Sequence, residues 1–115
     1  MLSAHFARRE FECKCKCGFN TVDVKLIGFL ELIRTHFNAP IIVNSGCRCS
    51  KYNKQINGAS RSQHIIGRAA DITIKNVSSK EIADYAEFIN TPGVGRYPSF
   101  THIDSRNSEA KWGKN

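Results

Sequence analysis

Residues Ala70-Asp71-Ile72-Thr73-Ile74 alternate apolar and polar side chains with a period of two, and this pattern constrains the fold more than any other stretch. Successive side chains of a strand point to opposite faces, so Ile72 and Ile74 enter a core while Asp71 and Thr73 share the other side. The chain must therefore build a sheet with one packed face and one face left for polar groups.

The neighbouring segments say what packs on it. From Val22 to Phe37 the apolar residues Leu26, Ile27, Leu30, Ile33 and Phe37 recur at three- and four-residue intervals, which predicts a helix with one buried face, its start capped by Thr21 or Asp23. Pro40 follows, Ile41-Ile42-Val43 reads as a short buried strand, and Asn44-Ser45-Gly46 is expected to turn the chain. Ser50 to Ile56 reads as a short helix ending at Asn57-Gly58, with a loop through Ser62. Ser78 and Glu81 form a capping box ahead of Ile82, Tyr85, Ala86 and Ile89, a second amphipathic helix ending near Asn90-Thr91-Pro92. Gly93 to Tyr97 and Phe100 to Asp104 read as an antiparallel pair around Pro98-Ser99, and the tail from Asn107 is polar apart from Trp112. The expected fold class is α+β: a small antiparallel sheet covered by helices on one face, the other face open for a site.

With 115 residues the chain fits one domain, residues 1–115, and 41% hydrophobic against 23% charged residues is ordinary globular usage. No apolar run reaches the roughly 18 to 20 residues of a membrane span, and residues 1–10 lack a signal-peptide core, so synthesis in the cytoplasm is expected. Seventeen Lys and Arg against ten Asp and Glu give a net charge of +7, which favours polyanions: nucleic acid, anionic membrane or cell-wall polymer. The positive charges are scattered, and no finger spacing or aromatic-basic motif accompanies them, so no nucleic-acid partner is expected. Five cysteines cannot all pair, and Cys13-x-Cys15-x-Cys17 is not a zinc-finger spacing. Reduced thiols are the default, with a bridge to Cys47 or Cys49, or a second metal, as alternatives.

The chemistry lies in two segments. Ser62-Gln63-His64-Ile65-Ile66-Gly67-Arg68-Ala69-Ala70-Asp71 offers an imidazole nitrogen and a carboxylate oxygen, both good zinc ligands, with a tight glycine turn between them. Phe100-Thr101-His102-Ile103-Asp104 supplies a third donor, with His102, Asp104 and Phe100 on one face and Ile103 opposite. Three protein ligands, His64, Asp71 and His102, leave zinc a fourth position for water, whose pKa falls towards about 7, and the metal also polarises a scissile carbonyl; hydrolysis is the consequence. Asp104 is the first candidate for a general base, the alternative being a partner that orients a histidine ring. Ser45-Gly46-Cys47-Arg48 places an arginine where it can grip a substrate carboxylate or stabilise an oxyanion. Ser62 either contacts substrate or shapes its loop.

Taken together, Ser45-Gly46-x-Arg48, Ser62-x-His64-x-x-Gly67-x-Ala69-x-Asp71 and His102-x-Asp104 closely resemble the M15 peptidases, in particular the group with zinc D-Ala-D-Ala carboxypeptidases and phage cell-wall endopeptidases. The resemblance runs from about Phe11 to Trp112 and includes Glu10-Phe11-Glu12-Cys13, Pro40-Ile41-Ile42-Val43, Tyr52-Asn53 and Lys111-Trp112. It implies zinc on His64, Asp71 and His102, Arg48 as the substrate or transition-state contact, a hedgehog/DD-peptidase type of fold, and the peptidoglycan stem peptide as substrate. Some relatives carry a glutamate base three residues before the last histidine ligand; Ser99 stands there in this chain. A phage-type lysis or virion enzyme, acting as a monomer at the bacterial cell wall, is the expectation that follows.

Singly, these residues have plainer readings. A lone histidine is more often a surface or structural residue than a ligand, and His5 and His36 keep that reading. Asp71 alone would be a polar strand residue and Arg48 a surface ion-pair partner. Five fixed residues at fixed spacing from Ser62 to Asp71, however, arise by chance at roughly one in a million positions. Trp112 reads as a core lid that holds the tail against the domain, with a place beside the cleft as the alternative. The competing function is a non-catalytic zinc-containing binding or structural module of the same fold, as in the hedgehog signalling domains.

Overall fold

A computed structural model of the chain describes residues 3–14, 22–46, 50–56 and 63–114. In chain order it contains a 3-10 turn (Arg8–Phe11), α1 (Val24–Phe37), β1 (Ile41–Ser45), α2 (Ser50–Gln55), a second 3-10 turn (Gln63–Ile66), β2 (Ala69–Ile74), α3 (Ser79–Phe88), β3 (Gly93–Arg96), β4 (Thr101–Asp104) and β5 (Ala110–Gly113). The strands form one sheet in the order β1-β2-β4-β3-β5. Pairing is antiparallel from β1 through β2 and β4 to β3, and β5 adds a parallel strand beside β3. The expected α+β architecture with a small sheet is what the chain adopts.

The alternation of β2 decides the two faces. Ala70, Ile72 and Ile74 are buried on one side, joined there by Val94 of β3 and Ile103 of β4. Leu26, Ile27, Leu30 and Ile33 of α1 and Ile82, Ala83 and Ala86 of α3 complete this core, so the apolar stripes of both helices lie on the same face of the sheet. α3 begins at the expected capping box: the Glu81 amide donates to Ser78 Oγ at 3.1 Å and the Ser78 amide donates back to Glu81 Oε1 at 3.4 Å. Asp23 precedes α1 as its N-cap residue, but its carboxylate accepts from Ser105 Oγ at 2.6 Å instead of capping its own helix. Thr21 lies outside the described residues. No helix among the described residues is long and apolar enough to cross a membrane.

Three features depart from the sequence expectations. Asn44 and Ser45 do not turn the chain but extend β1, whose register shifts between Val43 and Ser45 so that Ser45 pairs with Asp71. Asn44 is the extra residue of this irregularity, and its side-chain amide donates to Thr73 Oγ1 at 3.3 Å. The polar tail forms β5. Phe6 and Phe11, ahead of any predicted element, are fully buried in the core with ring centroids 6.0 Å apart.

Candidate metal centre

On the face opposite the helices, strand register lines up one residue from each strand: Ser45, Asp71, His102, Gly95 and Trp112. Two of the three sequence-predicted donors are thus cross-strand neighbours because β2 pairs with β4. The third, His64, comes from the 3-10 turn just before β2, and Gly67, at φ 70°, reverses the chain between turn and strand. That reversal is tied down by Asp23 N donating to the Gly67 carbonyl at 2.8 Å and Ser105 N donating to the Arg68 carbonyl at 2.9 Å.

One donor atom from each of His64, Asp71 and His102 lies within 4.8 Å of the other two, and all three residues are buried. His102 Nδ1 is 2.9 Å and His64 Nε2 is 3.3 Å from Asp71 Oδ1, and the two rings stand 5.1 Å apart at 70°. Each imidazole is also held by its other nitrogen. His64 Nδ1 donates to the Gly46 carbonyl at 2.5 Å, and His102 Nε2 donates to Asp104 Oδ2 at 2.8 Å. A carbonyl can only accept, so Nδ1 of His64 carries a proton and the ring presents Nε2 to Asp71.

Electrostatics follow from burial and these bonds. Burial works against a charged Asp71, but hydrogen bonds from His102 and His64 outweigh it and hold the carboxyl far below the usual carboxylate range. Burial likewise opposes the imidazolium of His102, yet its bonds to Asp104 and Asp71 raise its pKa. Asp104 is fully buried; Arg106 and then His102 overcome the desolvation and keep it ionised well below its ordinary pKa. Its oxygens accept from Arg106 Nε at 2.8 Å, Arg106 Nη2 at 2.7 Å and the Arg106 amide at 3.2 Å. Asp104 is therefore engaged on every side.

An aromatic wall flanks the donors. Trp112 stands 5.0 Å from the His102 ring, Arg106 lies 5.2 Å over the indole, and Trp112 Nε1 donates to Tyr97 Oη at 2.9 Å. Tyr97 in turn stacks on Phe100 at 4.4 Å. Trp112 thus holds the tail and borders the centre at once. Two glycines outside the sequence motifs make room for these groups: a Cβ on Gly95 would meet the indole at 2.6 Å, and one on Gly93 would strike the Asp104 carboxylate. Gly93-x-Gly95 on one face of a predicted strand was the available signal, since strand glycines mark close approach. Arg48 and Ser62 lie outside the described residues, as do Cys15, Cys17, Cys47 and Cys49; Cys13 is buried.

Two imidazoles and one carboxylate converging on the sheet face away from the helices make up a donor set that could hold a single metal ion. Comparison with known families agrees: the model for Peptidase M15 matches residues 4–104, and the chain belongs to that family. The match spans all three donors and ends at Asp104, leaving β5 beyond it. No curated protein matches the chain.

Proposed function

We propose that this M15 peptidase is zinc-dependent and hydrolyses peptidoglycan stem peptides, with His64, Asp71 and His102 holding the metal. The observation that carries the reading is the convergence of those three donors, an N2O set suited to zinc, with both rings anchored through their remaining nitrogens. Zinc bound there would supply a Lewis acid that polarises a scissile carbonyl and acidifies water.

The chain's own residues do the rest. Asp71 contributes the anionic charge of the centre and is kept ionised by its partners. Asp104 fixes the His102 ring, and its burial beneath Arg106 suits that positioning role better than proton transfer to a substrate. Arg48, by the motif it shares with the family, grips the substrate carboxylate or the oxyanion, and Ser62 of the same motif contacts the substrate. Trp112, Tyr97 and Phe100 wall one side and exclude water. The net charge of +7 draws the enzyme to an anionic wall, and the bacterial cell wall is the proposed place of action, in the manner of phage lysis or virion enzymes.

Mass spectrometry of muropeptides treated with zinc-loaded and chelated protein tests this directly. Loss of a terminal D-Ala identifies a carboxypeptidase and cleavage within the stem an endopeptidase, either one abolished by chelation. Unchanged muropeptides with the zinc-loaded chain would overturn the enzymatic reading in favour of a non-catalytic zinc module.

A further inference from the structure

Gly46 joins two parts of the molecule that the proposed chemistry does not connect. On one side its carbonyl accepts the Nδ1 proton of His64. On the other it abuts the N-terminal 3-10 turn, where a Cβ on Gly46 would lie 2.5 Å from Phe11 Cα, 2.7 Å from Phe11 O and 2.9 Å from Phe11 C. Those atoms are backbone, so no rotamer change relieves the contact.

The segment pressing on Gly46 is itself firmly seated. Phe6 and Phe11 are fully buried. At its far end the Glu31 carboxylate on α1 accepts from Ser3 Oγ, from the His5 amide at 2.9 Å and from His5 Nδ1 at 2.6 Å. Within it, the Ala7 amide donates to Glu10 Oε2 at 2.6 Å and closes the turn.

We propose that residues 3–11 are a positioning element of the metal centre: packed against Gly46, they hold the carbonyl that sets the tautomer and orientation of the His64 ring. The inference rests on the reading of His64, Asp71 and His102 as zinc ligands. A ring whose Nδ1 is bonded to a fixed carbonyl presents Nε2 in one direction only, and partners that orient metal-binding histidines typically change metal affinity about 10- to 100-fold when lost. The N-terminal segment thereby contributes to zinc binding without supplying a ligand.

The test compares wild type with Gly46→Ala, measuring zinc Kd by chelator competition and following the His64 ring proton by NMR in metal-free protein, at a temperature where both are folded. The expected result is a zinc Kd about 10- to 100-fold weaker, with a ring proton that exchanges faster with water. Ile82→Val, a change in the core on α3, serves as the control: it lowers Tm but leaves zinc Kd and ring proton as in wild type. If Gly46→Ala does not fold, Glu31→Ala releases Ser3 and His5 at the surface and is expected to move both readouts in the same direction. Wild-type zinc affinity and ring-proton exchange in Gly46→Ala, or in Glu31→Ala where that variant replaces it, would overturn the proposal, as would an equal loss of affinity in Ile82→Val. A wild-type chain that binds no zinc would overturn the reading of the centre, while the ring proton would still decide whether the segment positions His64.

Discussion

Replacing Gly95 with alanine tests how the site face is built. The new Cβ would lie 2.6 to 2.7 Å from Cε2, Cζ2 and Nε1 of Trp112, about 1 Å inside ordinary van der Waals contact of roughly 3.5–4.0 Å. The three nearest atoms all belong to the indole of a residue on an edge strand, so the ring swings out and the strands stay in place. The swing breaks the Trp112-to-Tyr97 hydrogen bond, about 1 kcal/mol net, and the Arg106 stack, about 0.5–1 kcal/mol. Exposing part of a half-buried indole costs about 1 kcal/mol more at roughly 25 cal/mol per Å². Alanine offsets about 0.5–1 kcal/mol of this, because it is less costly than glycine to order in a strand. The balance is a loss of about 2 kcal/mol, which for a chain of this size lowers Tm by about 8 °C. Trp112 is the sole tryptophan, so intrinsic fluorescence reports on this ring alone, and its emission should shift to the red. An unshifted spectrum with Tm within about 1 °C of wild type would refute the placement of the indole over Gly95.

Asp104→Asn should retain the fold but weaken zinc about 10- to 100-fold in chelator competition, since it removes the charge that orients His102; unchanged zinc affinity with abolished turnover would instead make Asp104 the base. The metal-free chain should be most stable between about pH 4 and 6.5, judged by Tm across pH in the presence of a chelator. Asp71 and Asp104 have pKa values below their unfolded value of about 3.9, so their contribution is present above that pH and lost as pH falls further. His102 has a pKa above its unfolded value of about 6.5, so its contribution is present below that pH and lost as pH rises. A metal-free Tm that keeps rising from pH 6.5 to 8 would refute this account; zinc, taking the place of the proton on the ring, should remove the alkaline decline.

Local pattern made much of this legible. Period two in β2, the helical spacing in α1 and the Ser78/Glu81 box each report on residues a few positions away, and each element formed within two residues of its expected bounds. The His64, Asp71 and His102 grouping was legible because motif spacing encodes a site even when its parts lie far apart in sequence. What escaped depends on distant partners. Ala110–Gly113 has one large apolar side chain and becomes a strand only because β3 offers it an edge. Phe6 and Phe11 have no periodic neighbours and find the core by tertiary packing. Whether Asp104 acts as base or as anchor turns on Arg106 closing over it, and spacing alone could not supply that contact.

The sheet's two borders are both poor templates for another chain. β1 is interrupted at Asn44, and β5 has only four residues and ends at Gly113, where φ is 85°. Short or irregular borders discourage strand addition by neighbouring molecules. This construction should let the protein be concentrated without the intermolecular sheet growth that leads to aggregation.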